Sequence, residues 1–596
     1  MSLEFYTNRI ETLAEKKTVQ KKKISLITSA RIASFILFVI IIVVAIQSKN
    51  SDYFYFLILP IILFGILLKF HQREKLKLNI LSTKIKINQQ EINCLNGNYS
   101  EFENGKEFIN SQHGFSHDID LFGEKSLFQF LNRTTSSSSK KRFANYLSNY
   151  NSKQEEITNR QEAVKEASTK NAWREEFRAN GLLFKTKESN INEVANWRAS
   201  EIALFENIGL WRVILWAVPI FMLVVIVGVS YSLIPAFYLL IASFIPLGIT
   251  ARKLKIINEQ HLKISEYLEV LKQHSILSNL IENEKFKSEQ LQLIKSALVD
   301  NNKSANTEIK ELANITQQLD NRSNPVFAIL MNALFLWDLQ YLLKLKNWLA
   351  KNENSLQNWF EAVDEMEVYA SLGNFAFNQS EFNYPELSQT HFFEAEELGH
   401  PLLSENSRIT SSLTINNLQE FVIITGANMA GKSTFLRAVG INLVLASSGA
   451  PVCAKSFSYT PTQLFTSMRT SDSLSDNESY FYSELKRLQT IVEKLKSGEK
   501  LFVILDEILK GTNSKDKAEG SKKFVKQLLN YQASGIIATH DLSLCSIKED
   551  FPTQVQTHYF DVEIENDELV FDYKLKEGIC SNMNAEFLMK KMGITE

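Results

Sequence analysis

Four runs of the chain carry no charged residue and no amphipathic period: Ile32–Ile46, Tyr53–Leu68, Val213–Val229 and Leu233–Ile249. The polar turn QSKNSD joins the first two, and Ser230-Tyr-Ser232 joins the second two. At about −0.3 to −0.6 kcal/mol per large apolar residue, each run favours insertion into a bilayer. Each is near the lower length limit for a span, and Tyr53, Trp211, Trp216 and Tyr231 suit an interface belt that would extend it. The alternative is a pair of buried soluble hairpins. Those would show an amphipathic stripe, and Pro60, Pro219, Pro235 and Pro246 are awkward in them but tolerated in membrane helices.

Outside these runs the pattern changes twice. Residues 70–115 are polar and mixed, and predict a helix followed by a linker around Asn96–Gly105. Lys255–Val299 places Ile264, Tyr267, Leu268 and Leu271 at helical spacing. Pro325–Gly373 predicts a second long helical region, with Phe335, Leu339, Leu342 and Leu343 on one face and Trp337 and Trp348 nearby. Apolar residues at this spacing are read as core. Beyond residue 391 short β-branched runs appear: Phe421–Thr425, Leu501–Leu505 and Gly535–Ala538 each predict a buried strand. Tyr559–Tyr573 alternates apolar and polar positions around Asn566-Asp567, the pattern of an antiparallel hairpin.

Charge gives the predicted membrane segments a direction. Lys69, Arg73, Lys75 and Lys77 follow the first pair, Arg212 precedes the second, and Arg252, Lys253 and Lys255 follow it. The two turns hold only Lys49. The positive-inside rule then places the turns outside and everything large in the cytoplasm of a multi-pass cell (inner) membrane protein. Residues 1–31 are polar and basic, which argues against a cleavable signal, because its apolar core would come earlier. The length of 596 residues suggests roughly four domains. A formal charge of −2 gives no bulk polybasic signal for nucleic acid. The four cysteines, Cys94, Cys453, Cys545 and Cys580, are too scattered for a metal site or a disulfide framework.

The candidate chemistry sits at the ends of the predicted strands. Phe421–Thr425 runs into Gly426-Ala427-Asn428-Met429-Ala430-Gly431-Lys432-Ser433-Thr434, which fits G-x-x-x-x-G-K-[ST] and is followed by an amphipathic helical stretch. Glycines let backbone N–H groups close around phosphates, Lys432 adds a point charge, and Ser433 offers a hydroxyl to Mg²⁺. Leu501–Leu505 ends in Asp506-Glu507, where Asp506 can hold Mg²⁺ through water and Glu507 can polarise an attacking water. Gly535–Ala538 ends in Thr539-His540-Asp541, placing His540 to sense a terminal phosphate. An ordinary strand-to-helix turn is the alternative for the loop, a polar loop running into a helix for Asp472–Glu484, and a hydrogen-bonded structural residue for His540.

TGANMAGKST, LDEILKGTNS, ATHD and DSLSDNESYFYSEL together resemble the ATPase domain of the MutS family of DNA mismatch repair proteins. Ala427, Tyr480 and Asn513 depart from the family pattern without removing a phosphate or metal group. Ser126–Ser168, with Leu127, Leu131, Asn132, Arg133, Thr134, Ile157, Arg160, Gln161, Ala163 and Val164, is similar to the start of the family's core domain. Arg133 and Arg160 are expected to make core hydrogen bonds. ELGHPLL at Glu397–Leu403 resembles the lead-in to the ATPase, and Glu577–Gly593 loosely resembles the closing segment. No segment matches the family's N-terminal mismatch-reading domain.

The resemblance implies an α/β P-loop ATPase domain, with a mostly parallel sheet and helices on both faces. This joins an all-α core and lever region and four transmembrane helices in two hairpins. The implied boundaries are a basic cytoplasmic segment 1–31, hairpin one 32–69, a helical linker 70–115, core 116–204, hairpin two 205–250, core and lever helices 251–390, and the ATPase domain 391–596. ATP and Mg²⁺ are the implied cofactors. Gly426–Thr434 would bind the nucleotide, Ser433 and Asp506 the metal, and Lys432, Glu507 and His540 would do the chemistry. Ser479 matches the serine that reaches the partner subunit's nucleotide, which implies a homodimer with composite sites. The implied role is a dimeric, ATP-driven switch acting on DNA, with mismatched and branched DNA among the candidates. The alternative is a switch acting on the membrane or a protein partner without DNA.

Overall fold

The computed structural model describes residues 2–48, 51–184, 193–202, 208–300, 303–389, 392–427, 429–469, 480–565 and 568–580. Its first element is one unbroken helix, Ser2–Ser48, paired with Ile58–Leu95 through a short 3₁₀ turn at Ser51–Leu57. The basic segment 1–31 and the first apolar run are therefore a single rod. No glycine or proline interrupts Ser2–Ser48, so nothing in it ends a helix. At 1.5 Å per residue the rod is about 70 Å long, more than twice the hydrocarbon thickness of a bilayer, so its polar half projects to the core.

Among the described residues, three helices are long and apolar enough to cross a membrane: Ser2–Ser48, 55–95 and Ile208–Ser230. The fourth predicted run forms the 16-residue helix Phe237–Arg252, which bends by 68° into Leu254–Asn283. It starts four residues later than the run Leu233–Ile249 because Pro235 sits in the turn. The helical region expected over Pro325–Gly373 is three helices. Pro325–Phe335 stands at 81° to Trp337–Asn352, and Ser355–Asn378 follows.

Ser355–Asn378 is the spine of the core. Gly373 lets it approach the helix Gln154–Thr169, since a Cβ there would lie 2.7 Å from Ala167 Cβ. The same helix carries two buried carboxylates into the polar segment that follows Asn132-Arg133. Glu367 accepts from Thr135 N–H and Oγ–H at 2.6 and 2.7 Å, and Asp364 from the Ser139 and Ser138 hydroxyls at 2.6 and 2.8 Å. Burial pushes Glu367 up from 4.5 to about 7 and Asp364 from 3.8 to about 6. A carboxyl raised on folding stabilises below its unfolded value and loses that contribution as pH rises through the folded one. Glu367→Gln is therefore expected to flatten the fall in melting temperature between pH 4.5 and about 7, read by thermal unfolding in detergent across that range.

Arg133 and Arg160 do make the expected core contacts. Arg133 pairs with buried Glu91, and Arg160 donates to Ser447 O at 3.1 Å while lying over the Tyr146 ring.

The C-terminal region holds a six-stranded sheet. Its strands are β1 (Phe421–Gly426), β2 (Gln463–Ser467), β3 (Leu501–Asp506), β4 (Ser534–Ala538), β5 (Val555–Phe560) and β6 (Leu575–Glu577), in spatial order β6-β5-β1-β4-β3-β2. All pairings are parallel except the edge pair of β5 and β6. Alternation along the strands explains the two-sided cover. Val422, Ile424, Ile504 and Ile536 join the main core beneath the helix Lys432–Ser447. Phe421, Ile423, Val503, Leu505 and Ile537 face the opposite way, onto Leu488 and Ile491 of Tyr480–Lys496 and Val525 and Leu528 of Ser514–Asn530. The hairpin expected at 559–573 is present as Glu563–Glu565 paired with Glu568–Val570, and its turn Asn566-Asp567 lies outside the described residues.

A second sheet was not expected from the sequence. Glu386–Leu387, Ser456–Tyr459, Phe393–Leu398 and Ser411–Ile415 line up in that spatial order, and Phe393 packs on Phe502 of β3 with ring centroids 5.7 Å apart.

Candidate functional site

The phosphate-loop sequence folds as a strand, a tight loop and a helix. Gly426 has φ +141° and passes so close to β5 that a Cβ would meet Phe560 O at 2.6 Å. Gly431, at φ +105°, is the N-cap of Lys432–Ser447. Both positions need the freedom of glycine, and the free N–H groups of the helix start point into the loop. Gly426, Ala427, Met429, Ala430 and Gly431 belong to this turn from strand to helix, and Lys432, Ser433 and Thr434 begin the helix. Asn428 and Ser479 lie outside the described residues.

Lys432 Nζ donates to Gly426 O and Ala427 O, each at 2.7 Å. Burial lowers its pKa from 10.5 to about 8, against the raising effect of Asp506 and Glu507. Ser433 Oγ donates to Asp506 Oδ2 at 2.6 Å, which brings the predicted metal pair together between the start of Lys432–Ser447 and the end of β3. A hydroxyl and one carboxylate, with phosphate oxygens and waters, is a donor set that suits Mg²⁺.

Glu507 follows β3 with φ +53°, and Leu509 has φ +59°. Left-handed residues without a glycine cost about 1 kcal/mol or more and persist where surroundings hold them. Here Glu507 N–H donates to Ala538 O at 2.9 Å, and Glu484 accepts from Leu509 N–H at 2.6 Å and Lys510 N–H at 3.1 Å. The Glu507 carboxylate accepts from Lys517 Nζ at 2.8 Å. Burial alone would raise its pKa, but the Lys517 hydrogen bond and charge, with His540 and Lys510, outweigh it and hold the group below 4.5. Glu507 is thus an anion at neutral pH.

His540 approaches the loop from β4, its Nδ1 2.8 Å from Gly426 O. A carbonyl only accepts, so Nδ1 carries the hydrogen. Burial and the Lys432 charge lower its pKa, leaving a neutral ring whose Nε2 is an acceptor 3.9 Å from Glu507 Oε2. Such an acceptor can orient a water.

These groups face a cavity of about 690 Å³, the size of a small-ligand site. Lys432, Ser433, Thr434, Asp506, Glu507 and His540 line its polar side. Leu398, Leu403, Ile409, Phe560 and Tyr573 supply an apolar wall that suits the flat face of a base. His400, from the ELGHPLL segment, also lines it, and burial lowers its pKa to about 4.

Three contributors escaped the sequence reading. Lys517 is ten residues past Glu507, in the first turn of Ser514–Asn530, whose start is marked by the Asn513 cap. That cap was the available signal. Glu484, within DSLSDNESYFYSEL, closes the loop from a helix 25 residues away, and Lys510 of LDEILKGTNS lines the cavity; both stand in the quoted motifs, but neither motif spells out these contacts.

Residues 422–588 match the family MutS domain V. The DNA mismatch repair protein MutS of Thermotoga sp. (strain RQ2) is 30% identical over 251 residues, 41% of this chain and 31% of that protein. MutS protein homolog 4 of Homo sapiens is 27% identical over 250 residues, 40% of this chain and 26% of that protein. The chain therefore spans less than a third of the length of these curated relatives. It carries a distant MutS-family ATPase domain at about 422–588, joined to helices fit to cross a membrane several times.

Proposed function

We propose that the protein is a membrane-anchored, Mg²⁺-dependent ATPase that works as a conformational switch on its own membrane segments or on a protein partner. One observation carries this reading: Lys432, Ser433, Asp506, Glu507 and His540 converge on one cavity at the C-terminal ends of parallel strands. Backbone amides of 426–433 hold the phosphates, and Lys432 neutralises charge as the terminal phosphate leaves. Ser433 and Asp506 would hold Mg²⁺, which would supply further neutralisation of phosphate charge. Glu507 positions water, and it does so once Lys517 yields its hydrogen bond. The ATPase faces the cytoplasm by the distribution of basic residues. Ser479 of a second subunit completes the nucleotide site in a homodimer.

The names of the relatives make DNA the competing effector. The test is ATP turnover by the full chain in liposomes, with Glu507→Gln as control, with and without homoduplex, mismatched and branched DNA. Turnover that is abolished in the control and indifferent to every DNA supports the membrane switch. Stimulation by one DNA form, with the steep salt dependence of phosphate contacts, moves the function to a tethered DNA sensor. Turnover unchanged in Glu507→Gln removes the ATPase assignment.

Lys517→Met is expected to release Glu507 toward a higher pKa, since the lysine is the strongest group lowering it. The acid limb of the turnover–pH profile should move to higher pH in that variant, because turnover needs the ionised carboxylate.

A further inference from the structure

The helix Pro325–Phe335, PVFAILMNALF, has no place in the nucleotide site and none in the soluble core. Its outward face is Val326, Ile329 and Leu330, which are 66, 59 and 56% exposed. Its inner face meets the second membrane hairpin. Leu334, near the helix end, packs with Met222, Val225 and Ala242, at the middle of the two hairpin helices. Eleven residues rise about 16 Å, close to half of a hydrocarbon layer of about 30 Å.

The polar groups of this helix are satisfied from within. The Asn324 side chain accepts from Val326 and Phe327 N–H at 3.0 and 3.3 Å. Asn332, its single polar side chain, donates to Ala328 O at 2.9 Å and accepts from Asp338 N–H at 3.0 Å. A helix whose polar groups are paired internally meets the condition for contact with lipid. The flanks are of the opposite kind: Asp320 and Ser323 meet His261 before the helix, Arg322 pairs with Asp338, and Trp337 follows the break, donating Nε1–H to Gln318 O. The indole folds back against Phe327 in the first turn, ring centroids 5.6 Å apart, so it and the polar flank mark one level, that of the headgroups, at the N-terminal end of the helix.

We propose that Pro325–Phe335 is a re-entrant half-span in the cytoplasmic leaflet, with phospholipid acyl chains covering Val326, Ile329 and Leu330. Lipid is the occupant because this face continues the exposed apolar surface of the hairpin it packs on, Phe221, Val224, Ile241 and Phe244 among it. From Phe335 the chain turns through Leu336, at φ +51°, into Trp337–Asn352 and then the spine Ser355–Asn378. The half-span is the foot by which that spine stands in the bilayer. The inference does not depend on ATP hydrolysis.

The described cysteines are all buried, so a single surface cysteine can be labelled selectively. Ile329→Cys carries a nitroxide in the full chain in phosphatidylcholine–phosphatidylglycerol liposomes, with Phe244→Cys as the lipid reference and exposed Leu293→Cys as the water reference. The ratio of accessibility to oxygen over a nickel chelate is expected to match Phe244→Cys and to exceed Leu293→Cys, because apolar oxygen enters hydrocarbon and the polar chelate is excluded from it. A ratio like that of Leu293→Cys overturns the proposal by placing the face in water. Exclusion of both reagents with spin–spin broadening overturns it by placing a second copy there. Val326→Cys and Leu330→Cys repeat the measurement should Ile329→Cys fold poorly, and their nucleotide binding reports that the rest of the chain is intact.

Discussion

Lys432→Ala is expected to abolish measurable nucleotide binding, while Glu507→Gln binds ATP and turns it over at least about 100-fold more slowly. The two variants separate because their side chains do different work. Lys432 is the buried cation of the loop, held at 2.7 Å by Gly426 O and Ala427 O where it can face phosphate. Truncating one partner of a desolvated charge pair costs about 2–5 kcal/mol, or 30-fold to several thousandfold in affinity. Glu507 pairs with Lys517 and, more distantly, with His540 and Lys510. Glutamine keeps its shape and removes only the charge that polarises water. Equilibrium binding of a fluorescent nucleotide and steady-state phosphate release read the two effects independently. Normal turnover in Glu507→Gln would remove that residue from the chemistry.

The same lysine predicts a pH dependence. With its pKa lowered to about 8 in the free site, Lys432 loses its charge above that pH, and nucleotide gains least from a neutral amine. Affinity for ATP should be flat at lower pH and fall above about 8. A site in which the lysine kept its ordinary value would stay flat to about 10.

What the sequence made legible follows from the range of the interactions. The phosphate loop was readable because Gly426 and Gly431 set their own backbone, and the strands before Asp506 and His540 announce themselves as β-branched apolar runs. The alternation that divides Ile424 from Ile423 between two cores is likewise local. Long-range pairing was not readable. Glu484 lies in the motif DSLSDNESYFYSEL, but its reach to Leu509 and Lys510, 25 and 26 residues away, is a tertiary contact that the motif does not spell out. The four-stranded sheet escaped because its strands are short, separated by as many as 40 residues or more, and mix charged with apolar positions, as in Phe393–Leu398. Pro325–Phe335 was assigned to the lever because it is only 11 residues long, below the length at which an apolar helix reads as a span. Its exposure and its contact with Met222 are tertiary facts.

The joint between the membrane and the rest of the chain is where a single substitution should cost most in stability. Glu91 lies in the polar C-terminal part of Ile58–Leu95, fully buried. One oxygen accepts from Arg133 Nε at 2.6 Å and Arg178 Nη1 at 2.8 Å. The other accepts from Arg133 Nη2 at 3.0 Å, Asn374 at 3.0 Å and Asn378 at 2.9 Å. The asparagines belong to the spine Ser355–Asn378, so one carboxylate ties the first membrane hairpin, the core and the spine together. Tyr6 of the N-terminal helix joins the same knot through its hydroxyl to Asn378 Oδ1, 2.7 Å.

Glu91→Gln keeps the volume and leaves two buried guanidinium groups without their counter-charge. Breaking such a pair from one side costs about 3–5 kcal/mol, because the remaining charge stays desolvated. The expected result is a fall of that size in unfolding free energy, or failure of the first hairpin to dock, measured by denaturant titration in detergent micelles. The wild-type pH profile supplies the second arm. Burial alone would raise Glu91, but Arg133 and Arg178 overcome it and lower the group from 4.5 to about 2. A carboxyl depressed on folding stabilises above its unfolded pKa and loses that contribution as pH falls toward the folded one. Wild type should therefore lose stability between pH 4.5 and about 2 by a component that Glu91→Gln lacks. Equal stability of the two proteins at neutral pH, with parallel acid profiles, would show that the carboxylate is not what holds the membrane hairpin to the spine.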